Sequence, residues 1–280
     1  MTKAPLLTDR PALERNRARA LALPAPALFL HETAMDEVKE RLETVNRTFT
    51  DAAVVTGLPD LWQGALPRAR MVADAEVLDL APASLDLVVH AMALHWANDP
   101  VGQIVQCRRA LRPDGLFLAL FFGGQTLQEL RPALAEAEAE VTGGLSPRIL
   151  PMGEIRDLGA LLQRAGLALP VADSFTQRVL YRDAFHLMQD LRAMGEGNAL
   201  AARLRRPTRR AVLLRAAQIY AQAHAGPDGR IPATFEILCL TGWAPHDSQQ
   251  KPLRPGSAQQ RLAEALNTVE QPLRKGSQPG

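Results

Sequence analysis

The chain has 280 residues, of which 47% are hydrophobic and 22% charged, and its formal net charge is +2. This composition is ordinary for a globular protein, and so small a net charge does not predict nucleic-acid binding. No apolar run reaches the ~20 residues that a membrane span needs, and the first residues lack the apolar core of a secretion signal.

The two cysteines, Cys107 and Cys239, are far apart and lie inside apolar runs. This placement predicts buried, reduced thiols and therefore a reducing compartment, for which we expect the cytoplasm. It also disfavours a cysteine-based metal site, and we predict no metal ligands.

Residues 1–48 read as a helical lead-in. A basic helix is predicted over residues 8–22, capped by Thr8 or Asp9, and an apolar stripe predicts a second helix over 27–47. The arginines of the first helix could form a solvated face packed on the edge of the domain. Alternatively, they could form an arginine-lined lid or a surface for an acidic partner.

The first strand is predicted over residues 51–57 and a short strand over 70–74. A nucleotide-binding loop after such a strand needs several glycines, because the backbone must approach the ligand closely. Here only Gly57 is present, and Pro59 soon removes a backbone donor. The 17 residues from Gly57 to Asp74 are too few for a full crossover, which predicts that one βα unit is missing.

Residues 84–124 predict a βαβ unit. Its apolar first strand ends at His95-Trp96, a helix covers 98–111, and a second apolar strand covers 116–122 and leads into Gly123. Ligands of open α/β sheets bind beyond the carboxyl ends of the strands, so these ends mark a candidate site.

The remaining chain predicts a helical elaboration and the closing strands. A glutamate-rich helix over 126–141 is expected to expose its charges to solvent. The other predicted elements are helices over 154–165, 183–194 and 208–224, edge strands over 167–173 and 177–181, and a last strand over 233–241.

An imidazole and an indole at a strand end, as in His95-Trp96, could flank a planar ligand; the alternative is a core tryptophan beside a satisfied histidine. The tail repeats this pairing with Trp243 and His246. If the tail folded back over the strand ends, it would bring His246 towards His95; otherwise it packs on the surface. An iron site built from His95, Asp99 and His246 has no favourable spacing.

Several of these stretches resemble class I S-adenosylmethionine-dependent methyltransferases, notably the order from Asp74 through residues 84–124. A narrower resemblance, to the complex I assembly factor branch of that superfamily, rests on five motifs in the same order: TDRPALERNRARA, LHWANDPVG, FGGQTLQELRPALAEAEAEVTGGLSPRILP, LMQDLRAMGEGNA and IPATFEILCLTGWAPHDSQQKPLRPGSA. The mitochondrial member of this branch is regarded as a protein-arginine hydroxylase acting on a complex I subunit.

The resemblance implies a Rossmann-like class I methyltransferase fold of the α/β class, with a doubly wound sheet that lacks one βα unit and carries a C-terminal helical elaboration. It implies a domain over residues 49–245 with a helical insertion, followed by a tail over 246–280. The implied site residues are catalytic His95, Trp96 and His246 and cofactor-binding Gly57, Asp74, Ala75, Ala91 and His95.

The implied cofactor is S-adenosylmethionine, bound weakly or not at all, because the glycine loop of the family is replaced by residues 54–62. We therefore expect a methyltransferase-like protein that acts on or holds a protein partner, such as a respiratory complex I subunit. The alternatives are an active methyltransferase of a small molecule or carrier-bound acid, and a non-catalytic assembly chaperone.

Overall fold

A computed structural model describes residues 6–45, 47–153 and 155–249, without the side chains of 155–157. The chain divides into two compact units, Met1–His246 and Asp247–Gly280. The first unit contains all the helices and strands of the described residues.

One six-stranded sheet forms the centre of the first unit. The apolar runs that predict buried strands supply its middle, where nearly every residue of β3 and β4 is buried. The spatial order is β2-β1-β3-β4-β6-β5, and the strands are β1 (Ala52–Thr56), β2 (Arg70–Ala73), β3 (Leu85–Ala91), β4 (Leu111–Phe122), β5 (Ala168–Tyr181) and β6 (Ile231–Trp243).

The first four strands are mutually parallel, whereas β6 runs antiparallel to β4 and β5 antiparallel to β6. The two edge strands predicted over 167–173 and 177–181 are a single strand, β5, paired with β6 along its length. A register shift between Ala168 and Val171 marks an irregularity near its start.

Helices cover both faces of the sheet, as doubly wound folds require. One face packs against α2, α3, α5, α7 and α8, and the other against α4 and α6. The helices are α1 (Arg10–Leu21), α2 (Phe29–Val45), α3 (Pro59–Ala65), α4 (Pro100–Ala110), α5 (Leu130–Thr142), α6 (Ile155–Arg164), α7 (Ala184–Ala193) and α8 (Arg210–His224).

The sheet confirms the doubly wound α/β fold and the missing βα unit. In the doubly wound order 3-2-1-4-5-6, two strands lie outside the first strand. Here only β2 lies outside β1. The short span between Gly57 and Asp74 still contains a helix, α3, of 7 residues, which suffices for one compact parallel crossover.

Two of the glutamates expected to be solvated are buried. Glu138 of α5 is 4% exposed, and Glu129 just before α5 is 8% exposed. Glu138 accepts hydrogen bonds from Ser146 and Arg148, and Glu129 from Thr234. The prediction of a uniformly solvated face was wrong because these acids find partners outside the helix: Glu138 in the loop 8 and 10 residues further on, and Glu129 in β6, 105 residues away.

Both cysteines are free and buried, as predicted. Among the helices of the described residues, none combines the length and the apolar character that crossing a membrane requires.

Candidate functional site

The carboxyl ends of the parallel strands form one edge of the sheet, and two cavities open there. We name the first the β1–β2 cleft; it has a volume of about 480 Å³ and is lined by Arg10, Arg17, Gly57 and Asp74, among others. The second, the β3–β4 pocket, has a volume of about 220 Å³ and is lined by residues that include Trp96 and Glu196.

Asp74, at the end of β2, is held by two arginines of α1. Arg10 donates to both carboxylate oxygens and to the backbone oxygen of Asp74, at 3.2, 3.0 and 2.6 Å. The Nη1 of Arg17 lies 2.9 and 3.0 Å from the same two oxygens. Burial alone would raise the pKa of Asp74, but the two guanidinium groups outweigh it and hold the pKa below its ordinary value.

Arg17 also fills the space above Gly57, at the end of β1. A Cβ added at Gly57 would lie 2.1 Å from the Cζ of Arg17. Of the alternatives for these arginines, the arginine-lined lid applies to Arg10 and Arg17, which line the cleft. Arg15 and Arg19 are exposed on the other side of α1.

The β3–β4 pocket is mostly apolar. Met152, Met188 and Met194 contribute flexible thioether side chains, which adapt readily to a ligand. The rest of its lining consists of Trp96, Phe122, Thr126, Leu127, Leu130, Leu134, Arg148, Ile149, Leu150, Leu191, Arg192, Glu196, Gly197, Asn198, Leu213 and Phe235.

Glu196 is the single acid in that lining. Its Oε2 accepts a hydrogen bond from the Nε1 of Trp96 at 2.8 Å and lies 3.3 Å from the Nε2 of His95. Burial would raise the pKa of Glu196, but the charge of His95 and its hydrogen bond, with Arg17 and Trp96 adding to them, hold the pKa below its ordinary value. The side chain is therefore a carboxylate at neutral pH.

The end of α7 places Glu196. The backbone N–H of Gly195 donates to Arg192 and that of Glu196 to Leu191, which is the Schellman pattern of a helix terminus. Gly195 adopts a φ of +82°, which glycine allows without steric cost. The turn directs Glu196 towards the end of β3.

His95 lies behind Glu196 and lines neither cavity. Its ring packs 4.9 Å from that of Phe122 and 5.7 Å from that of Trp96, measured between ring centroids. Its Nδ1 is buried and has no hydrogen-bond partner among the described residues. His95 and Trp96 both contact Glu196, and their role beside a ligand stays a prediction.

The predicted cofactor residues divide between the two cavities and the sheet. Gly57, Asp74 and Ala75 line the β1–β2 cleft. Ala91, the last residue of β3, is fully buried between β1 and β4 and lines neither cavity.

The structure does not bring His246 to His95. Because β6 is antiparallel to β4, its final residue Trp243 pairs with Leu116, whereas Phe122 beside His95 pairs with Ile237. Leu116 and Phe122 are six residues apart along β4, which corresponds to roughly 20 Å at ~3.3 Å per residue. The alternative in which His246 approaches His95 is therefore wrong, and so is the iron site that needs both histidines.

Sequence reasoning did not identify Glu196 or Arg17. A signal for Glu196 was present, since an acid between two glycines directly follows an amphipathic helix. Arg17 gave no such signal among the four arginines of α1. Within the described residues, no group of three or more histidine, cysteine, aspartate and glutamate side chains is arranged to hold a metal ion.

Comparisons with known proteins agree with this architecture. A family model described as a methyltransferase domain matches residues 19–119. The mitochondrial arginine-hydroxylase NDUFAF5 of Mus musculus is 41% identical over 219 residues, which cover 77% of this chain and 63% of that protein. The chain therefore spans less than two thirds of the mouse relative.

The human protein of the same name is 37% identical over 238 residues, covering 83% of this chain and 68% of that protein. The malonyl-[acyl-carrier protein] O-methyltransferase of Laribacter hongkongensis is 35% identical over 188 residues, covering 67% of this chain and 61% of that protein.

Proposed function

Because the chain belongs to the family of the mitochondrial arginine-hydroxylase NDUFAF5, within the class I methyltransferase superfamily, we propose that it acts on an arginine side chain of a protein partner. The observation that supports this is a contrast at the carboxyl edge. In the β1–β2 cleft Arg17 already stands against Gly57 and pairs with Asp74, whereas the β3–β4 pocket presents the carboxylate of Glu196 beside Trp96. The partner we propose is a subunit of respiratory complex I.

S-adenosylmethionine is the cofactor of the superfamily, to which it supplies a transferable methyl group. The β1–β2 cleft of this chain fits it poorly. The guanidinium of Arg17 stands against Gly57, where the backbone would have to approach a ligand. Leu58 and Pro59 follow instead of further glycines, and Asp74 is already paired with two arginines.

We therefore propose that the cofactor binds weakly or not at all. Each charge-assisted contact that is lost costs ~1.5–3 kcal/mol, so two such losses lower affinity by about 2–4 decades. Isothermal titration calorimetry with S-adenosylmethionine on the full chain should show no micromolar binding. A micromolar dissociation constant would contradict the proposal.

The Arg17→Ala variant sharpens this test, with Arg15→Ala as its control because Arg15 lies on the exposed side of α1. Removing the guanidinium opens the space above Gly57, so any residual affinity should rise in the Arg17 variant alone. Equal affinities in both variants would show that Arg17 does not limit binding.

Hydroxylation would insert one oxygen atom into a C–H bond of the arginine, with molecular oxygen as the oxidant and a two-electron donor reducing its second atom to water. The described residues recognise the arginine, and they carry out no step of the oxygen chemistry.

Mass spectrometry of complex I subunits, isolated from cells with and without the chain, tests the proposed function. We expect one arginine to gain the mass of a single oxygen only when the chain is present. A gain of one methylene mass would instead support methyl transfer, and normal assembly without any modified arginine would support the chaperone alternative.

The poor fit of the β1–β2 cleft to the cofactor, with Arg17 against Gly57, favours the non-catalytic chaperone as the second candidate. In that case replacing His95 by Ala should leave complex I assembly intact, while changes to the exposed helix surfaces should impair it. The buried, free thiols of Cys107 and Cys239 support the proposal of a reducing compartment. The cytoplasmic location remains a proposal, and the animal relatives are named as mitochondrial.

A further inference from the structure

The carboxylate of Glu196 is only half satisfied. Its Oε2 meets both Trp96 and His95, but its Oε1 has no hydrogen-bond partner among the described residues. The side chain is 12% exposed, and that exposed part faces the β3–β4 pocket, which it lines. Because Glu196 is not fully buried, water can reach this oxygen, and a ligand that displaces the water must offer a donor in its place.

No lysine or arginine of the described chain forms an ion pair with Glu196. The pocket lining holds two arginines: Arg148 is bound by Glu138 through its Nε at 2.9 Å and its Nη2 at 2.6 Å, and Arg192 forms no ion pair with Glu196 among the described residues. Arg17 is committed to Asp74. The ion pair that Glu196 forms within the described residues joins its Oε2 to the imidazole of His95, 3.3 Å away, so Oε1 is the atom available to a ligand.

The rest of the pocket selects the kind of ligand. Its walls are apolar, with three methionines and several leucines. Its volume of about 220 Å³ is below the ~300–1,000 Å³ of typical pockets for drug-sized molecules. One side chain with a long apolar stem and a cationic end fits these constraints, since the stem can contact the walls while the charge meets the carboxylate.

We propose that Glu196 anchors the guanidinium of a partner's arginine, which enters the β3–β4 pocket with its stem against the methionines. The planar guanidinium offers several N–H donors to the free Oε1. Trp96 and His95 act as positioning residues, because they fix the other oxygen. The proposal rests on the proposed function and specifies how the substrate is recognised.

Titration of the full chain with N-acetyl-arginine amide, followed by ligand-observed NMR, tests the anchor directly. N-acetyl-citrulline amide is the matched probe, because its ureido group has a similar shape but no charge. The wild type should bind the arginine probe more tightly than the citrulline probe. Glu196→Gln should weaken arginine binding by about tenfold to a hundredfold and leave citrulline binding unchanged.

Glu196→Gln keeps an oxygen that can accept from Trp96, so the pocket should keep its shape. Glu136→Gln is the control, since Glu136 lies on the exposed face of α5 and lines neither cavity. Met188→Trp is a second variant that narrows the pocket without touching Glu196, and it should weaken the binding of both probes.

Equal binding of the arginine probe to the wild type and to Glu196→Gln would overturn the anchor, as would citrulline binding as tight as arginine binding. These outcomes are separate from the test of function. An arginine oxidised equally by wild type and Glu196→Gln would refute the anchor and keep the function. Arginine binding through Glu196 without any modified arginine in complex I would keep the anchor and refute the proposed function.

Discussion

Asp74 shows how a single residue can change its role within a shared fold. In the family resemblance this acid serves the cofactor, but here it is 4% exposed and binds two arginines from α1. Both guanidinium groups are themselves largely buried, with Arg17 8% exposed. The carboxylate has become the counter-charge that fixes α1 to the sheet edge.

We expect Asp74→Asn to lower the free energy of unfolding by about 3–5 kcal/mol, because it leaves Arg10 and Arg17 buried without a counter-charge. Urea unfolding followed by circular dichroism measures this. Asp79→Asn is the matched control: Asp79 pairs with Arg70 at the surface, where ion pairs contribute ~0–1 kcal/mol. A loss below 1 kcal/mol for Asp74→Asn would show that the pair does not fix α1.

A second change separates charge from packing at the same place. Adding Arg17→Leu to Asp74→Asn removes one of the two uncompensated charges, so part of the lost stability should return. If the double variant is as unstable as the sum of the single changes, the two side chains are not coupled.

At the scale of secondary-structure elements, the site depends on the close packing of α1 against the end of α7. A Cβ added at Gly195 would lie 3.1 Å from the Cα of Arg17. This contact brings Arg17 to the β1–β2 cleft on one side, while the turn after Gly195 directs Glu196 into the β3–β4 pocket on the other. One glycine thus supports both halves of the carboxyl edge.

Gly195→Ala should therefore destabilise the fold more than a similar change elsewhere. Gly143→Ala is the control, because Gly143 also follows a helix with positive φ, +70°, but an added Cβ would meet no atom within 4 Å. Both variants carry the strain of a left-handed alanine, ~1–3 kcal/mol. Gly195→Ala should lose about 1–3 kcal/mol more, since α1 must also move. Equal losses in thermal unfolding would contradict this contact.

The sequence predicted the elements better than their directions. The apolar runs of β3 and β4 and the stripe of α4 identified the βαβ unit and placed His95 and Trp96 at the carboxyl edge. Residue spacing does not reveal whether a strand runs parallel or antiparallel to its neighbour. The antiparallel β6 therefore carried His246 to the opposite edge, against the prediction.

The site was predictable only where its residues are local. Asp74, His95 and Trp96 follow strands, and their positions could be inferred from the strands themselves. Arg17 and Glu196 reach the site through the packing of α1 and α7, over separations of 57 and 101 residues from their partners. Nothing in the spacing of charged residues encodes such long-range contacts, and the burial of Glu129 against Thr234, 105 residues away, was missed for the same reason.

At the scale of the whole molecule, two buried histidines, His31 and His90, make stability depend on pH. His31 accepts a hydrogen bond from the Nε1 of Trp62, and His90 lies 2.8 Å from Gln103. Burial lowers the pKa of each from 6.5 to about 4. Both stay neutral in the folded state at a pH where the unfolded chain binds protons, so stability is present above pH 6.5 and is lost as the pH falls towards 4.

The paired carboxylates act in a lower window. The pKa of Asp74 and that of Glu196 lie below their ordinary values, so their contribution is present above the unfolded pKa of ~4 and lost only below it. Loss of stability between pH 6.5 and 5 therefore reports on the two histidines, without interference from the acids of the site.

Between pH 7 and pH 5 we expect each histidine to remove about 2 kcal/mol from the free energy of unfolding, at ~1.4 kcal/mol per pH unit below 6.5. The combined loss of about 4 kcal/mol is a large share of the ~5–15 kcal/mol that stabilises a typical domain. His31→Asn keeps an acceptor for Trp62 and should halve the loss, whereas His224→Gln, at an exposed position, should leave it unchanged. Urea midpoints at the two pH values give the comparison, and a pH-independent wild type would show that these histidines are not kept neutral by the fold.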